Sequence, residues 1–149
     1  AIAAKAVALH ECQRSSYQSY AKQVVVNAKA LASALVAEGM RAISGGTETH
    51  LALIDVTGVG VTGKVADERC GASGITLNKN SIPFDPNPPA VTSGIRVGTP
   101  AVTTQGMGVD QMQVIANLIT RAIKSDDANE HAKIKSEVQS LVTNYPIYA

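Results

Sequence analysis

The residues with the clearest chemical use lie between Asn78 and Gly106, in NKNSIPFDPNPPAVTSGIRVGTPAVTTQG. Arg96 stands there in TSGIRVGTPA, an apolar, glycine-rich setting that does little to solvate a permanent cation. A guanidinium is a planar fork that grips a carboxylate through two parallel charge-assisted hydrogen bonds, and Gly94 and Gly98 leave room for a small ligand to reach the backbone. The arrangement suits the carboxylate of an amino acid. An internal salt bridge would account for the same arginine.

Other motifs carry less. GVGVTGK at 58–64 has the glycines of a phosphate-cradling loop, but Val65 follows Lys64 where a P-loop needs a hydroxyl for Mg²⁺. We read it as a strand-to-helix turn with Thr62 as N-cap, and nucleotide binding as the weaker alternative. His10, His50 and His131 show no metal-ligand spacing and no nucleophile elbow accompanies them. His50, beside Glu48 at a strand entrance, is expected to be structural or supporting, and His10 and His131 solvated. Asp67, Glu68, Asp126, Asp127 and Glu130 fit helix-start charges better than paired catalytic carboxylates. Cys12 and Cys70 belong to no ligand spacing and read as free thiols, which suits a reducing cytoplasm.

The elements that must position these residues follow from periodicity. Ile2, Ala6 and Leu9 share a helical face over a short opening helix, an appendage spanning 1–14 together with its connector. A longer helix is expected from Ser15 or Ser16, with Tyr17, Tyr20, Val24, Ala28, Leu31 and Leu35 on one face and Gly39 as its stop. RAIS at 41–44 and HLALIDV at 50–56 read as strands, the second so continuously apolar that a sheet buried on both faces is expected. A helix near Lys64–Ala72, a strand at ITLN (75–78), a proline-stiffened loop from Lys79 to Pro89 and a strand and turn in GIRVGTPAVT follow. Two helices close the chain, one on Met112, Ile115, Ile119 and Ile123, the other starting at a capping-box-like Asp127/Glu130 pair and carrying Ile134, Val138, Leu141 and Val142. The class is α/β, with residues 15–149 as one domain.

Bulk properties agree. The 149 residues are 45% hydrophobic with one Phe, four Tyr and no Trp, so a core must be aliphatic. Thirteen basic and twelve acidic side chains give a net charge of +1, which offers no footprint for nucleic acid or an acidic membrane. No apolar run reaches the ~18 residues of a membrane span. AIAAKAVALHE starts without a cap or a Met and reads as a cut end.

The pattern NKN-S-IP-x-DP, then PP, then TSGIR-x-GTPA-x-TT-x-G resembles, in order and spacing, the bacterial form of serine hydroxymethyltransferase. IAAKAVAL (2–9), YAKQVVVNAKALA (20–32), ISGGTETHL (43–51), GKVADERCGASGITLNKN (63–80) and NYPIY (144–148) extend the likeness over nearly the whole chain. The resemblance implies the C-terminal small domain of a fold-type I pyridoxal-phosphate enzyme, a small sheet packed with helices and preceded by an interdomain helix at 1–14 that packs on a large domain. It implies obligate dimers or tetramers that exchange serine plus tetrahydrofolate for glycine plus methylenetetrahydrofolate. On matching positions Arg96 would hold the serine or glycine carboxylate, and Asn80, Pro88, Pro89 and Ala90 would contact folate; Asn80 could equally cap its own loop. Gln105 stands where the family commonly has Arg, Ala90 where many bacterial members have Phe, and Glu48–Thr49 where Asp–Asn is usual. The family's cofactor lysine, in a Thr-His-Lys stretch, has no counterpart here. The chain alone is therefore expected to be inactive. The alternative is a noncatalytic module or separate subunit that joins a partner carrying the pyridoxal-phosphate domain.

Overall fold

The computed structural model describes residues 1–147, so Tyr148 of the NYPIY segment lies outside the described residues. In chain order the elements are α1 (Ile2–Glu11), α2 (Ser15–Ala37), β1 (Arg41–Ala42), β2 (Leu51–Asp55), α3 (Gly63–Ala72), β3 (Asn78–Asn80), β4 (Gly94–Gly98), α4 (Pro100–Thr104), α5 (Val109–Lys124) and α6 (Ala128–Thr143). The four strands form one fully antiparallel sheet in the order β1-β2-β4-β3. The α/β class stands.

Strand period two divides the sheet. Ala52, Ile54, Ile95 and Val97 point to one face and are buried, whereas Leu51, Leu53, Arg96 and Gly98 point to the other and are half-buried or exposed. On the buried face the aliphatic side of α2 (Val24, Ala28, Leu31, Leu35) meets that of α5 (Met112, Ala116, Ile119, Ile123). The core is aliphatic, as composition requires. The expectation of a sheet buried on both faces is corrected: within the described residues helices cover a single face. HLALIDV is continuously apolar, yet Leu51 and Leu53 look outward.

Three boundaries also differ. RAIS is strand only at Arg41–Ala42 before Ile43–Gly45 turns into a 3-10 helix with Ser44 at φ +60°. The expected strand at 75–78 begins instead at Asn78, because Gly74 at φ +76° and Ile75, bonded back to the Cys70 carbonyl, still belong to the end of α3. The turn after β4 winds into α4, with Pro100 at its first position, where a missing N–H costs nothing.

Helix ends have local causes. Gly39, at φ +97°, stops α2 as its pattern predicts. At α6 the Asp127 carboxylate accepts from Asn129 N–H at 2.9 Å, but Glu130 does not close a capping box; it pairs with Arg121 at 2.7 Å. His131, expected in solvent, is buried, with its Nδ1 2.8 Å from Ser73 Oγ. Ser73 Oγ also lies 3.0 Å from the Arg69 carbonyl, so the hydroxyl links α6 to the end of α3. His10 is exposed. Cys70 is a buried free thiol pushed up to about 12, by burial first and then by nearby Asp67, and is inert at neutral pH.

Candidate functional site

Arg96 lies on β4, directly opposite Leu53 on β2 and Asn78 on β3. Directly opposed residues of antiparallel strands project to the same face, so the arginine, the asparagine and Leu53 share the open side of the sheet. There His50, Leu51, Thr76, Leu77, Asn78, Arg96 and Gly98 line a cleft of about 450 Å³. Asn78 turns its Nδ2 to the Lys79 carbonyl at 2.9 Å and presents its Oδ1 to Arg96 Nε at 3.2 Å. One donor of the fork is thereby held while both terminal nitrogens have no hydrogen-bond partner among the described residues. No carboxylate among those residues comes within ion-pair reach of Arg96, so the internal salt bridge has no acid here to form it.

Two details of the sequence reading change. Arg96 is exposed, so water rather than its apolar neighbours solvates it until a ligand arrives. Gly94 does not open the backbone to a ligand: a Cβ there would stand 2.7 Å from Ile82 Cγ2 and 2.9 Å from the Asn80 carbonyl oxygen. Gly98 alone of the pair lines the cleft.

The remaining sequence-derived candidates sit apart from that cleft. Asn80 is half-buried on β3, on the same face as Asn78, and its Nδ2 donates to the Ser81 carbonyl at 2.7 Å. Pro88, Pro89 and Ala90 are exposed on the 81–93 loop, where the Pro88 carbonyl accepts from Val91 N–H at 2.9 Å and Thr92 N–H at 3.0 Å. His50 does join the Arg96 cleft, exposed at its edge.

Sequence reasoning missed the residue that organises the loop. Asp85 Oδ1 accepts from Ser93 Oγ at 2.6 Å and Asn87 N–H at 2.9 Å, while Oδ2 accepts from Ser93 N–H at 2.9 Å and Ile82 N–H at 3.0 Å. Burial would push this carboxyl up, but the donors of Ser93, Asn87 and Ile82 outweigh it and hold it at about 2. The signal was the Asp-Pro-Asn run, which favours a side chain bonding its own loop. Asn78 was missed too, because its relation to Arg96 exists only once β3 and β4 are paired.

The glycine-rich turn at 58–64 is a structural joint. Gly63 N–H donates to the Thr92 carbonyl at 3.0 Å, Lys64 N–H to the Val91 carbonyl at 2.9 Å, and Val65 N–H to the Thr62 hydroxyl at 3.3 Å. The first three N–H groups of α3, the ones a phosphate at this helix start would need, are therefore already used. Thr62 is the N-cap, as expected.

A family model described as Serine hydroxymethyltransferase matches residues 1–119. The chain belongs to the serine hydroxymethyltransferase family. A curated serine hydroxymethyltransferase of Desulforapulum autotrophicum is 49% identical over 147 residues, covering 99% of this chain and 35% of the relative. The chain thus spans about a third of the length of the serine hydroxymethyltransferase it matches, and corresponds to its C-terminal part. Gln105 is tied inward, its Nε2 donating to the Tyr145 carbonyl at 2.9 Å, and Ala90, Glu48 and Thr49 are exposed. Pyridoxal phosphate, which the family implies, has no fitting residues here: among the described residues no lysine and no carboxylate lines the Arg96 cleft, and no lysine is buried.

Proposed function

We propose that this chain is the amino-acid-gripping part of a serine hydroxymethyltransferase, with Arg96 as the carboxylate clamp for serine and glycine. One observation carries the reading: a guanidinium with no acid in reach, steadied by Asn78 and exposing its terminal donors to an open cleft, in a chain of this family. The whole enzyme would convert serine and tetrahydrofolate to glycine and methylenetetrahydrofolate. Asn80 and the Pro88–Pro89–Ala90 strip would lie against the folate, with the Asp85 clamp keeping the strip in one conformation. Helix α1 and the outward Leu51 and Leu53 would pack on the domain that carries pyridoxal phosphate, within a homodimer or tetramer. Free Cys12 and Cys70 suit a cytoplasmic setting.

This chain by itself would then be inactive, because the electron sink needed to cleave the substrate's Cα–Cβ bond is pyridoxal phosphate, for which its residues offer no site. Borohydride reduction of the purified chain with pyridoxal phosphate is expected to label no lysine stoichiometrically; one-to-one labelling would overturn that part. In the whole enzyme, Arg96→Ala removes two charge-assisted bonds and should weaken serine binding by about 3 kcal/mol, roughly a hundredfold. Unchanged serine saturation would rule out the clamp.

A further inference from the structure

Two glycines of the chain are demanded by its own backbone. A Cβ at Gly63 or Gly94 would run into a carbonyl oxygen of a neighbouring segment, so no side chain fits at either position. Gly98 is under no such constraint. It ends β4 with a φ outside the left-handed region, and a Cβ there would meet the His50 carbonyl oxygen at 3.5 Å, Leu51 Cβ at 3.8 Å and Pro100 Cδ at 3.8 Å, all ordinary van der Waals distances. Alanine would fit, and alanine loses less conformational freedom on folding than glycine does. Nothing in the fold excludes a side chain at this position.

Its place in the site supplies a reason for the missing side chain. Gly98 stands two residues beyond Arg96 on the same strand, hence on the same open face and about 6.6 Å further along it. Leu51 is its partner on β2, and Thr76 and Leu77 approach from the chain leading into β3. Of the described residues lining the Arg96 cleft, Gly98 alone contributes bare backbone. Asn78 holds Arg96 Nε from the β3 side, which leaves the terminal donors of the fork for a ligand in the cleft. A bare strand position often marks where a ligand comes close to the backbone.

We propose that Gly98 is a specificity-determining residue of the Arg96 site. Its bare backbone keeps the cleft floor low, so that the α carbon and the groups on it can lie against the sheet once an amino acid's carboxylate is in the fork. The proposal rests on the carboxylate reading of Arg96 and adds the residue that sets how bulky the following atoms can be.

The test is Gly98→Ala and Gly98→Val, with Arg96→Ala as the reference. The melting temperature of the chain should hold or rise in Gly98→Ala, because the position accepts a Cβ. In the whole enzyme, half-saturating serine should rise roughly tenfold in Gly98→Ala and further in Gly98→Val, with the loss in saturation rather than in turnover at saturating serine. Formate, a carboxylate with no α carbon, should inhibit the parent and Gly98→Ala to within about twofold, since it needs only the fork. An equal loss of formate and serine would mean that Arg96 itself is disturbed, and would overturn the proposal. So would a clear fall in melting temperature. Unchanged serine saturation in Gly98→Ala, with Arg96→Ala weakened, would overturn the role of Gly98 and leave the clamp standing. Unchanged saturation in Arg96→Ala would overturn the clamp and this proposal together.

Discussion

A guanidinium in water has many rotamers, and a useful clamp needs few. Asn78 removes some of that freedom at Arg96 Nε, so Asn78→Ala should leave the charge in place and loosen its aim. In the whole enzyme we expect serine to bind roughly three- to tenfold more weakly, with Arg96→Lys worse because an ammonium has no fork; substrate saturation curves of the two variants check the order. Asp85 makes a pH prediction. Its folded value, about 2, lies below the ordinary 3.8, so the stabilisation is complete above about pH 4 and is lost as pH falls through 2. Amide exchange at Ile82, Asn87 and Ser93 should quicken over that window while core amides stay protected, and Asp85→Asn should remove the pH dependence. Arg96 could be singled out by its type, although its setting is exposed rather than apolar. Asn78 and Asp85 could not, since the value of an amide or a carboxylate depends on partners that chain order does not reveal.

At the scale of elements, the joint between α3 and the 81–93 loop is tightly constrained. A Cβ on Gly63 would collide with the Thr92 hydroxyl and with the Gly94 carbonyl, the second of which is backbone and cannot swing aside. Gly63→Ala should therefore cost about 2–4 kcal/mol, read from a chemical denaturation midpoint, although alanine normally favours a helix. Thr62→Ala, which deletes the N-cap acceptor, should cost about 1 kcal/mol in the same experiment. The long helices α2 and α5 were readable because a repeat of three to four over several turns averages out local exceptions. Short pieces were not: α4 looks like a turn, and β3 overlaps the ITLN run only at Asn78 because pairing with β4 rather than β-propensity selects Asn78–Asn80.

Across the whole molecule the asymmetry of the sheet dominates. One face is sealed by helices, while Leu51, Leu53 and Arg96 remain open on the other, and none of the ten residues of α1 is buried. A ten-residue helix without tertiary support is marginal. Its amides should exchange within about tenfold of unprotected rates in this chain, and slow sharply in the whole enzyme if α1 packs there as proposed. The class of fold and the aliphatic core could be anticipated from composition and period, but the one-sided covering could not, because an apolar run looks the same whether its cover belongs to the same segment or to a distant one. The α3 joint also sets a rule for chimeras within the family. Since the first two N–H groups of α3 are satisfied by carbonyls of the loop, a loop transplanted from a relative brings its own curvature to a helix tuned to another. Donor segments should be exchanged as a matched pair, 62–64 together with 81–94, or the graft will orphan a helix start while changing the loop proposed to meet folate.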